Sequence, residues 1–141
     1  MNILIVEDMP ELKLRNYEGL LYQLKINYKV VGSKEKVISY LENSDDSQEF
    51  KKVDGIILDL DFPRFENGRG YYKKMGIELI DYLVKNNIYI PIMINSDINL
   101  EKHELNYPNI YGQCKSSYDP KYWENFFEYI YNNKWRYYNI K

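Results

Sequence analysis

Five short apolar runs, each followed by a more polar segment with helical spacing, constrain the fold of this chain more than any other feature. The runs are apolar without strict alternation, and they are Ile3–Val6, Tyr28–Val31, Gly55–Leu60, Tyr89–Ile94 and, more weakly, Ile110–Lys115. Strands that are buried on both faces of a parallel sheet show this pattern. The alternation of strand and helix therefore predicts βαβ units with right-handed crossovers.

The segments between the runs place apolar residues on one side of a helix. They are Pro10–Leu24, Ser33–Leu41, Met75–Val84, the short Leu100–Leu105 and a last helix that opens at Asp119-Pro120. Pro10 suits a first helical turn, and Ser33 can cap the helix that follows it. We therefore predict an α/β fold in which helices cover both faces of a five-stranded parallel sheet.

Length and composition exclude several classes of protein. The 141 residues match one domain, which we predict over 1–134 with a tail at 135–141. With 19 basic and 21 acidic residues, the chain lacks the basic excess of a nucleic-acid binder. No apolar run approaches the roughly 20 residues of a membrane span. The single cysteine, Cys114, and a start without a basic signal region favour a reducing, cytoplasmic setting.

Acidic residues follow two of the predicted strands. The first strand ends in Glu7-Asp8, and the third ends in Asp59-Leu60-Asp61. Because sites in parallel α/β sheets form beyond the carboxyl ends of the strands, we expect these side chains to meet. Like-charged carboxylates this close need a cation, and oxygen-only ligands favour Mg²⁺. The sequence thus predicts a magnesium site.

A hydroxyl and an ammonium group are predicted at the same edge of the sheet. Ser96 follows the fourth strand and Lys115 ends the fifth. A carboxylate beside Mg²⁺ can attack a phosphoryl group and form an aspartyl-phosphate. Lysine would balance the charge of the phosphoryl oxygens, and serine would hydrogen-bond one of them.

With these residues in place, the chain resembles the receiver domains of response regulators, the phosphoacceptor half of two-component signalling. The matching stretches keep the family's order over nearly the whole chain, and they are ILIVEDMP (3–10), DGIILDLDFP (54–63), GIELIDYL (76–83), IPIMINSD (90–97) and YGQCKSS (111–117). The resemblance implies a three-layer, doubly wound sheet of order 2-1-3-4-5, the flavodoxin-like arrangement.

The resemblance also implies the metal ligands and the phosphoacceptor. Asp59 would accept the phosphoryl group. Glu7 and Asp8 would hold Mg²⁺, Asp8 more directly, together with Asp59 and the backbone carbonyl of Asp61.

Five further side chains receive roles from the resemblance. Ser96 would follow the phosphoryl group with its hydroxyl, and Lys115 would pair with the acceptor and its phosphate. Asp61 and Asp97 lie where the family tunes dephosphorylation. Tyr111 lies beside the position of the family's aromatic switch residue.

The chain departs from the family at three places. Ser116 stands where the family has a proline after the lysine, and Gly112 occupies the aromatic position itself. The segment 64–74 is an insertion after the acceptor strand. We interpret it either as a mobile loop or as a basic segment that reaches the phosphoryl group or a partner through Arg64, Arg69 or Lys73.

Three functions remain open at this point. The first is a receiver that takes a phosphoryl group from a histidine kinase or phosphotransfer protein and performs no other enzymatic turnover. It would signal to an unidentified downstream protein, or form a homodimer, through the last two predicted helices and the strand between them. The second is a pseudo-receiver that binds partners without phosphorylation. The third is a phosphatase of the haloacid-dehalogenase type, since residues 59–61 read Asp-Leu-Asp, although that family places its motif on the first strand.

Overall fold

The computed structural model describes residues 1–8, 17–42, 52–65, 67–70, 74–115 and 119–139, with side chains to residue 133. The strands are β1 Asn2–Val6, β2 Asn27–Val31, β3 Gly55–Leu58, β4 Ile92–Asn95 and β5 Ile110–Cys114. The helices are α1 Glu18–Gln23, α2 Lys34–Leu41, α3 Met75–Lys85, the 3₁₀ helix Lys102–Leu105 and α4 Pro120–Asn139. Pro10, most of the loop after α2, Lys73 and Ser116 lie outside these residues.

The five strands form one parallel sheet in the order β2-β1-β3-β4-β5, which confirms the predicted fold. In the centre of the sheet, Val6 pairs with Leu58 and Leu58 pairs with Ile94. The carboxyl ends of β1, β3 and β4 therefore finish side by side, and the residues that follow them meet at one edge.

Two hydrophobic cores lie on opposite faces of the sheet. The core under α2 and α3, which we call the α2/α3 core, is largely aliphatic and includes Leu4, Ile56, Leu79 and Leu83. The α1/α4 core is richer in aromatic side chains. Its largest members come from the two helices, and they are Tyr17, Leu21, Trp123, Phe126 and Phe127. The predicted three-layer arrangement follows from these two packed faces.

Helix and strand ends follow local chemistry. Ser33 caps α2 as predicted, because its hydroxyl accepts a hydrogen bond from the backbone N–H of Lys36 at 3.1 Å. Strand β4 begins at Ile92 rather than at the predicted Tyr89. Pro91 has no N–H and so cannot donate to the ladder, although its carbonyl accepts from Ile56 at 2.9 Å.

The first part of the insertion folds into a hairpin. The N–H groups of Arg64 and Phe65 donate to the carbonyls of Gly70 and Arg69, each at 3.2 Å. Gly68 and Gly70 have φ angles of +84° and +77°, a region that favours glycine. The described part of the insertion is therefore ordered by its own backbone.

This hairpin is tied to two helices. The carbonyls of Pro63 and Arg64 accept hydrogen bonds from the N–H groups of Lys34 and Glu35, at 3.1 and 2.8 Å. These amides begin α2 and would otherwise lack a partner within the helix. The Arg64 guanidinium pairs with Glu78 of α3 at 2.8 Å, and Lys34 pairs with the same carboxylate at 3.0 Å.

Helix α4 continues to Asn139 and so passes the predicted domain boundary at residue 134. The division into a domain over 1–134 and a tail at 135–141 stays a prediction.

Candidate functional site

Three carboxylates meet beyond the ends of β1 and β3. Oxygen atoms of Glu7, Asp8 and Asp59 all lie within 4.8 Å of one another. Glu7 and Asp59 are 3% and 6% exposed, whereas Asp8 is open to solvent. The structure therefore brings together three of the four acidic residues that the sequence selected, and Asp61 is not part of this group.

The sheet itself positions Asp59. Its backbone N–H donates to the carbonyl of Val6 at 3.0 Å, which extends the β1–β3 ladder by one residue. Its Oδ1 accepts a hydrogen bond from the N–H of Leu60 at 2.7 Å. The position of Asp59 is thus held by hydrogen bonds with the backbone of Val6 and Leu60.

Helix α3 starts against Asp59. A Cβ atom at Gly76 would lie 2.7 Å from the carbonyl oxygen of Asp59 and 2.8 Å from Cδ2 of Leu60. The N–H of Gly76 also donates to the carbonyl of Leu60 at 3.1 Å. Only glycine allows this close approach, so Gly76 helps to shape the site without contributing a side chain.

Tyr17 is a neighbour of the acidic cluster that the sequence did not reveal. It is 1% exposed, and its ring centroid lies 4.1 Å from that of Trp123. Burial raises the pKa of Tyr17 well above its usual range, and the negative charges of Glu7 and Asp59 raise it further. The phenol therefore stays neutral beside the carboxylates. In the sequence, Tyr17 is one of 16 tyrosines, and nothing marks it out.

Ser96 lies at the carboxyl edge of the sheet and is 9% exposed. Its hydroxyl accepts a hydrogen bond from the N–H of Ile98 at 3.3 Å. The side chain of Gln113 donates to the carbonyls of Ser96 and Ile98, at 2.8 and 2.7 Å, and so holds this loop to β5. Sequence analysis missed Gln113, although a glutamine within an otherwise apolar strand is the signal that could have found it.

Lys115 follows β5 and is exposed, and its Nζ donates to Oδ1 of Asn99 at 3.2 Å. The ammonium group is thus engaged with the loop after β4 in this structure. Asp97 is exposed and Asp61 is half-buried. The substitution of Ser116 for proline falls outside the described residues.

Tyr111 is an extra residue in β5. Ile92 pairs with Ile110 and Met93 pairs with Gly112, so the register skips Tyr111. The ring of Tyr111 packs against aromatic rings of α4, with centroids 5.0 to 5.8 Å away, and these belong to Tyr122, Phe126 and Tyr129.

Gly112 leaves room that α4 fills. The hydroxyl of Tyr122 occupies the space that a Cβ at Gly112 would need. Burial raises the pKa of Tyr122, and the neighbouring Tyr111 and Cys114 add to this rise. The absent aromatic side chain of β5 is therefore replaced by packing from α4.

The donor set of the cluster fits a hard divalent cation. Three carboxylates within 4.8 Å repel one another, and a cation removes this repulsion. Oxygen-only ligands with one exposed carboxylate suit Mg²⁺, which keeps several of its waters when it binds protein. The described part of the site can therefore bind Mg²⁺ next to a buried carboxylate.

Solved structures share this fold. A two-component response regulator from Legionella pneumophila superposes with a TM-score of 0.72 at 18% identity, covering 94% of this chain and 98% of that one. The response regulator TrrA from Thermotoga maritima, in complex with Mg²⁺ and BeF, gives 0.65 at 16% identity and covers 92% and 97%. The receiver domain of the sensor histidine kinase PA1611 from Pseudomonas aeruginosa, with magnesium in its active site cleft, gives 0.61 at 16% identity and covers 92% and 96%.

A scan against protein-family models and a search of curated proteins found no match. At these identities the structural likeness establishes the fold, which is that of receiver domains. In the part of the chain that the structure describes, no helix has the length and apolarity needed to cross a bilayer.

Proposed function

We propose that this chain is a phosphoacceptor receiver in which Asp59 takes a phosphoryl group from a histidine kinase or phosphotransfer protein. The observation that carries the proposal is the cluster of Glu7, Asp8 and Asp59, whose oxygens lie within 4.8 Å at the carboxyl edge of the sheet. The Mg²⁺-bound receivers of the same fold support it.

Asp59 is the nucleophile of the proposed transfer. Leu60 helps to orient the carboxylate through its hydrogen bond to Oδ1, and one carboxylate oxygen of Asp59 attacks the phosphorus atom. A P–O bond forms to this oxygen while the P–N bond of a phosphohistidine breaks. The departing nitrogen keeps the bonding electrons and takes a proton from solvent. Hydrolysis later returns Asp59 when water attacks the phosphorus atom.

The other site residues bind and orient. Bound Mg²⁺, held by Glu7, Asp8, Asp59 and the carbonyl of Asp61, would neutralise charge on the carboxylates and the phosphoryl oxygens. Ser96 would donate its hydroxyl proton to a phosphoryl oxygen, a role that is compatible with its oxygen accepting the hydrogen bond from Ile98.

Lys115 would complete the charge balance at the site. To do so, its ammonium group would leave Asn99 and contact Asp59 and the phosphoryl group instead. Leaving Asn99 breaks one exposed hydrogen bond, a small cost beside the gain of a charge-assisted contact with a phosphoryl group. Asp61 and Asp97 would tune the later attack of water.

The proposed output is a change at the surface made by the 3₁₀ helix, β5 and α4. Tyr111 and its aromatic neighbours on α4 lie at this surface. A shift of population between two conformations there would engage a downstream protein or a second copy of the chain. We place this signalling in the cytoplasm, in keeping with the single, buried Cys114.

The test is incubation with acetyl phosphate and Mg²⁺, followed by intact mass measurement. We expect a gain of one phosphoryl group that is lost in Asp59→Asn. Asp54→Asn is the matched control, because Asp54 is another buried aspartate, 4% exposed, at the opposite edge of the sheet. A folded wild type that gains no mass would leave the pseudo-receiver as the better function.

A further inference from the structure

A buried carboxamide lies at the carboxyl end of β4. The side chain of Asn95 is 6% exposed, and its Oδ1 accepts no hydrogen bond from any residue that the structure describes. A buried acceptor without a donor costs about 1–3 kcal/mol, so such a group in a folded protein calls for a reason.

Asn95 shares a face of the sheet with the acceptor. Asn95 is two residues after Met93, which packs in the α1/α4 core, and side chains in a strand alternate between faces. Tyr17 of the same core lies close enough to Glu7 and Asp59 for their charges to raise its pKa. The buried carboxylates and the Asn95 carboxamide therefore point to the same side.

Strand register also makes Asn95 the direct neighbour of Asp59. Leu58 pairs with Ile94, so Asp59 and Asn95 are the next residues at the ends of adjacent strands, roughly 4.8 Å apart. Glu7 lies on the other side of Asp59, at the end of β1. A cation held by the carboxylates is therefore on the β1 side of the acceptor, and Asn95 is on the β4 side.

A phosphoryl group on Asp59 would need donors on the β4 side. It carries acceptor oxygens only, and a carboxamide offers two N–H donors. Because Oδ1 of Asn95 makes no hydrogen bond with the described residues, turning the carboxamide so that Nδ2 faces the acceptor costs Oδ1 no hydrogen bond there.

We propose that Nδ2 of Asn95 donates a hydrogen bond to a phosphoryl oxygen on Asp59, as a further residue of the site beside Ser96. This inference rests on the proposed phosphoacceptor function and adds to it a contact that the sequence did not indicate.

The test compares two buried asparagines. Asn109 is 7% exposed and also has an Oδ1 without a partner among the described residues, but it lies just before β5 at the amino edge of the sheet. With acetyl phosphate and Mg²⁺, we expect Asn95→Ala to take up the phosphoryl group about ten-fold more slowly than wild type, the effect of one charge-assisted hydrogen bond. The rate of phosphoryl uptake by Asn109→Ala should stay within about two-fold of the wild-type rate, because Asn109 lies at the opposite edge of the sheet.

A second measurement uses the wild-type chain and needs no variant to fold. In an NMR titration with Mg²⁺ and beryllofluoride, the side-chain amide signals of Asn95 should shift and those of Asn109 should not. Unshifted Asn95 signals in a protein that binds beryllofluoride, or an Asn95→Ala variant phosphorylated at the wild-type rate, would overturn this inference alone. A wild type that neither takes up phosphoryl nor binds beryllofluoride would overturn the proposed function as well.

Discussion

A buried aspartate lies at each edge of the sheet, and the two have opposite effects on the stability of the fold. At the amino edge, Asp54 accepts a hydrogen bond from the N–H of Asn2 at 2.8 Å. At the carboxyl edge, Asp59 lies with Glu7 and Asp8 in one acidic cluster. The first arrangement pairs a charge with a donor and stabilises the fold, whereas the second gathers like charges and lowers stability until a cation binds.

This difference singles out the carboxyl edge as the candidate functional edge. Polar groups at the amino edge are used to close the structure, as when Asn2 and Asn109 donate their side-chain amides to the carbonyls of Lys52 and Ile90. The carboxyl edge instead gathers the like charges of Glu7, Asp8 and Asp59. Such arrangements persist in natural proteins where function requires them.

The largest expected effect comes from closing the space at the carboxyl edge. Gly76→Ala should lower the free energy of unfolding by about 2–3 kcal/mol, because the new Cβ would clash with Asp59 and Leu60. Chemical denaturation measures this change. Gly19→Ala is the control, since among the described residues outside its own helix no heavy atom lies within 4 Å of its Cβ position, and alanine favours a helix. Equal losses in both variants would contradict the argument.

Magnesium should stabilise the carboxyl edge specifically. At a free Mg²⁺ concentration of 100 times Kd, linkage raises the unfolding free energy of the wild type by about 2.7 kcal/mol. Glu7→Gln should lose most of this gain, whereas Glu18→Gln, an exposed acid on α1, should keep it. Thermal melts with and without Mg²⁺ give the comparison, and an equal gain in Glu7→Gln would remove Glu7 from the proposed ligands.

Replacing each of the two aspartates by asparagine, in separate variants, tests the comparison directly. Without divalent cations, Asp54→Asn should lower the unfolding free energy by about 1–2 kcal/mol, because Asn2 loses a charged acceptor. Asp59→Asn should raise it, since one of three like charges is removed. Urea titrations of both variants provide the measurement. A loss at Asp59 as large as that at Asp54 would mean that the two edges do not differ in this way.

The smallest expected effect concerns a carboxylate outside the acidic cluster. Burial raises the pKa of Glu78, but hydrogen bonds and charge from Lys34 and Arg64 outweigh this and lower the pKa below 4.5. The unfolded chain then binds the proton more tightly, so the contribution is present above pH 4.5 and is lost as pH falls through the folded pKa. For this partly exposed group we expect less than about 1 kcal/mol.

The pH dependence is measured as the difference in unfolding free energy between the wild type and Glu78→Gln, from pH 7 downwards. The difference should shrink as the solution becomes acidic, and it should shrink with added salt. A difference that grows in acid would show that Glu78 is not held by its two cations.

The fold was predictable because burial on both faces of the sheet leaves apolar runs that the sequence displays directly. The acidic cluster was predictable for a related reason: Glu7, Asp8 and Asp59 follow the strand ends immediately, and parallel strands bring those ends together. Ser33 was predictable because capping is decided within four residues.

The remaining features depend on side chains that are distant in sequence. The proximity of Tyr17 to the acids is set by how α1 packs on the sheet, and the register slip at Tyr111 is set by Tyr122 and its neighbours on α4. Asn95 was overlooked because its proximity to Asp59 depends on the register between β3 and β4. The present contact of Lys115 with Asn99 likewise joins two loops that the sequence cannot place.

The described residues of the insertion hairpin differ in how strongly the fold constrains them. Pro63 and Arg64 hold α2 through backbone carbonyls, whose chemistry does not depend on the side chain. Gly68 and Gly70 are constrained by their positive φ angles. The side chains of Phe65 and Arg69 are instead exposed at the tip of the hairpin. We therefore expect substitutions of these two side chains to leave the hairpin and its backbone contacts with α2 unchanged.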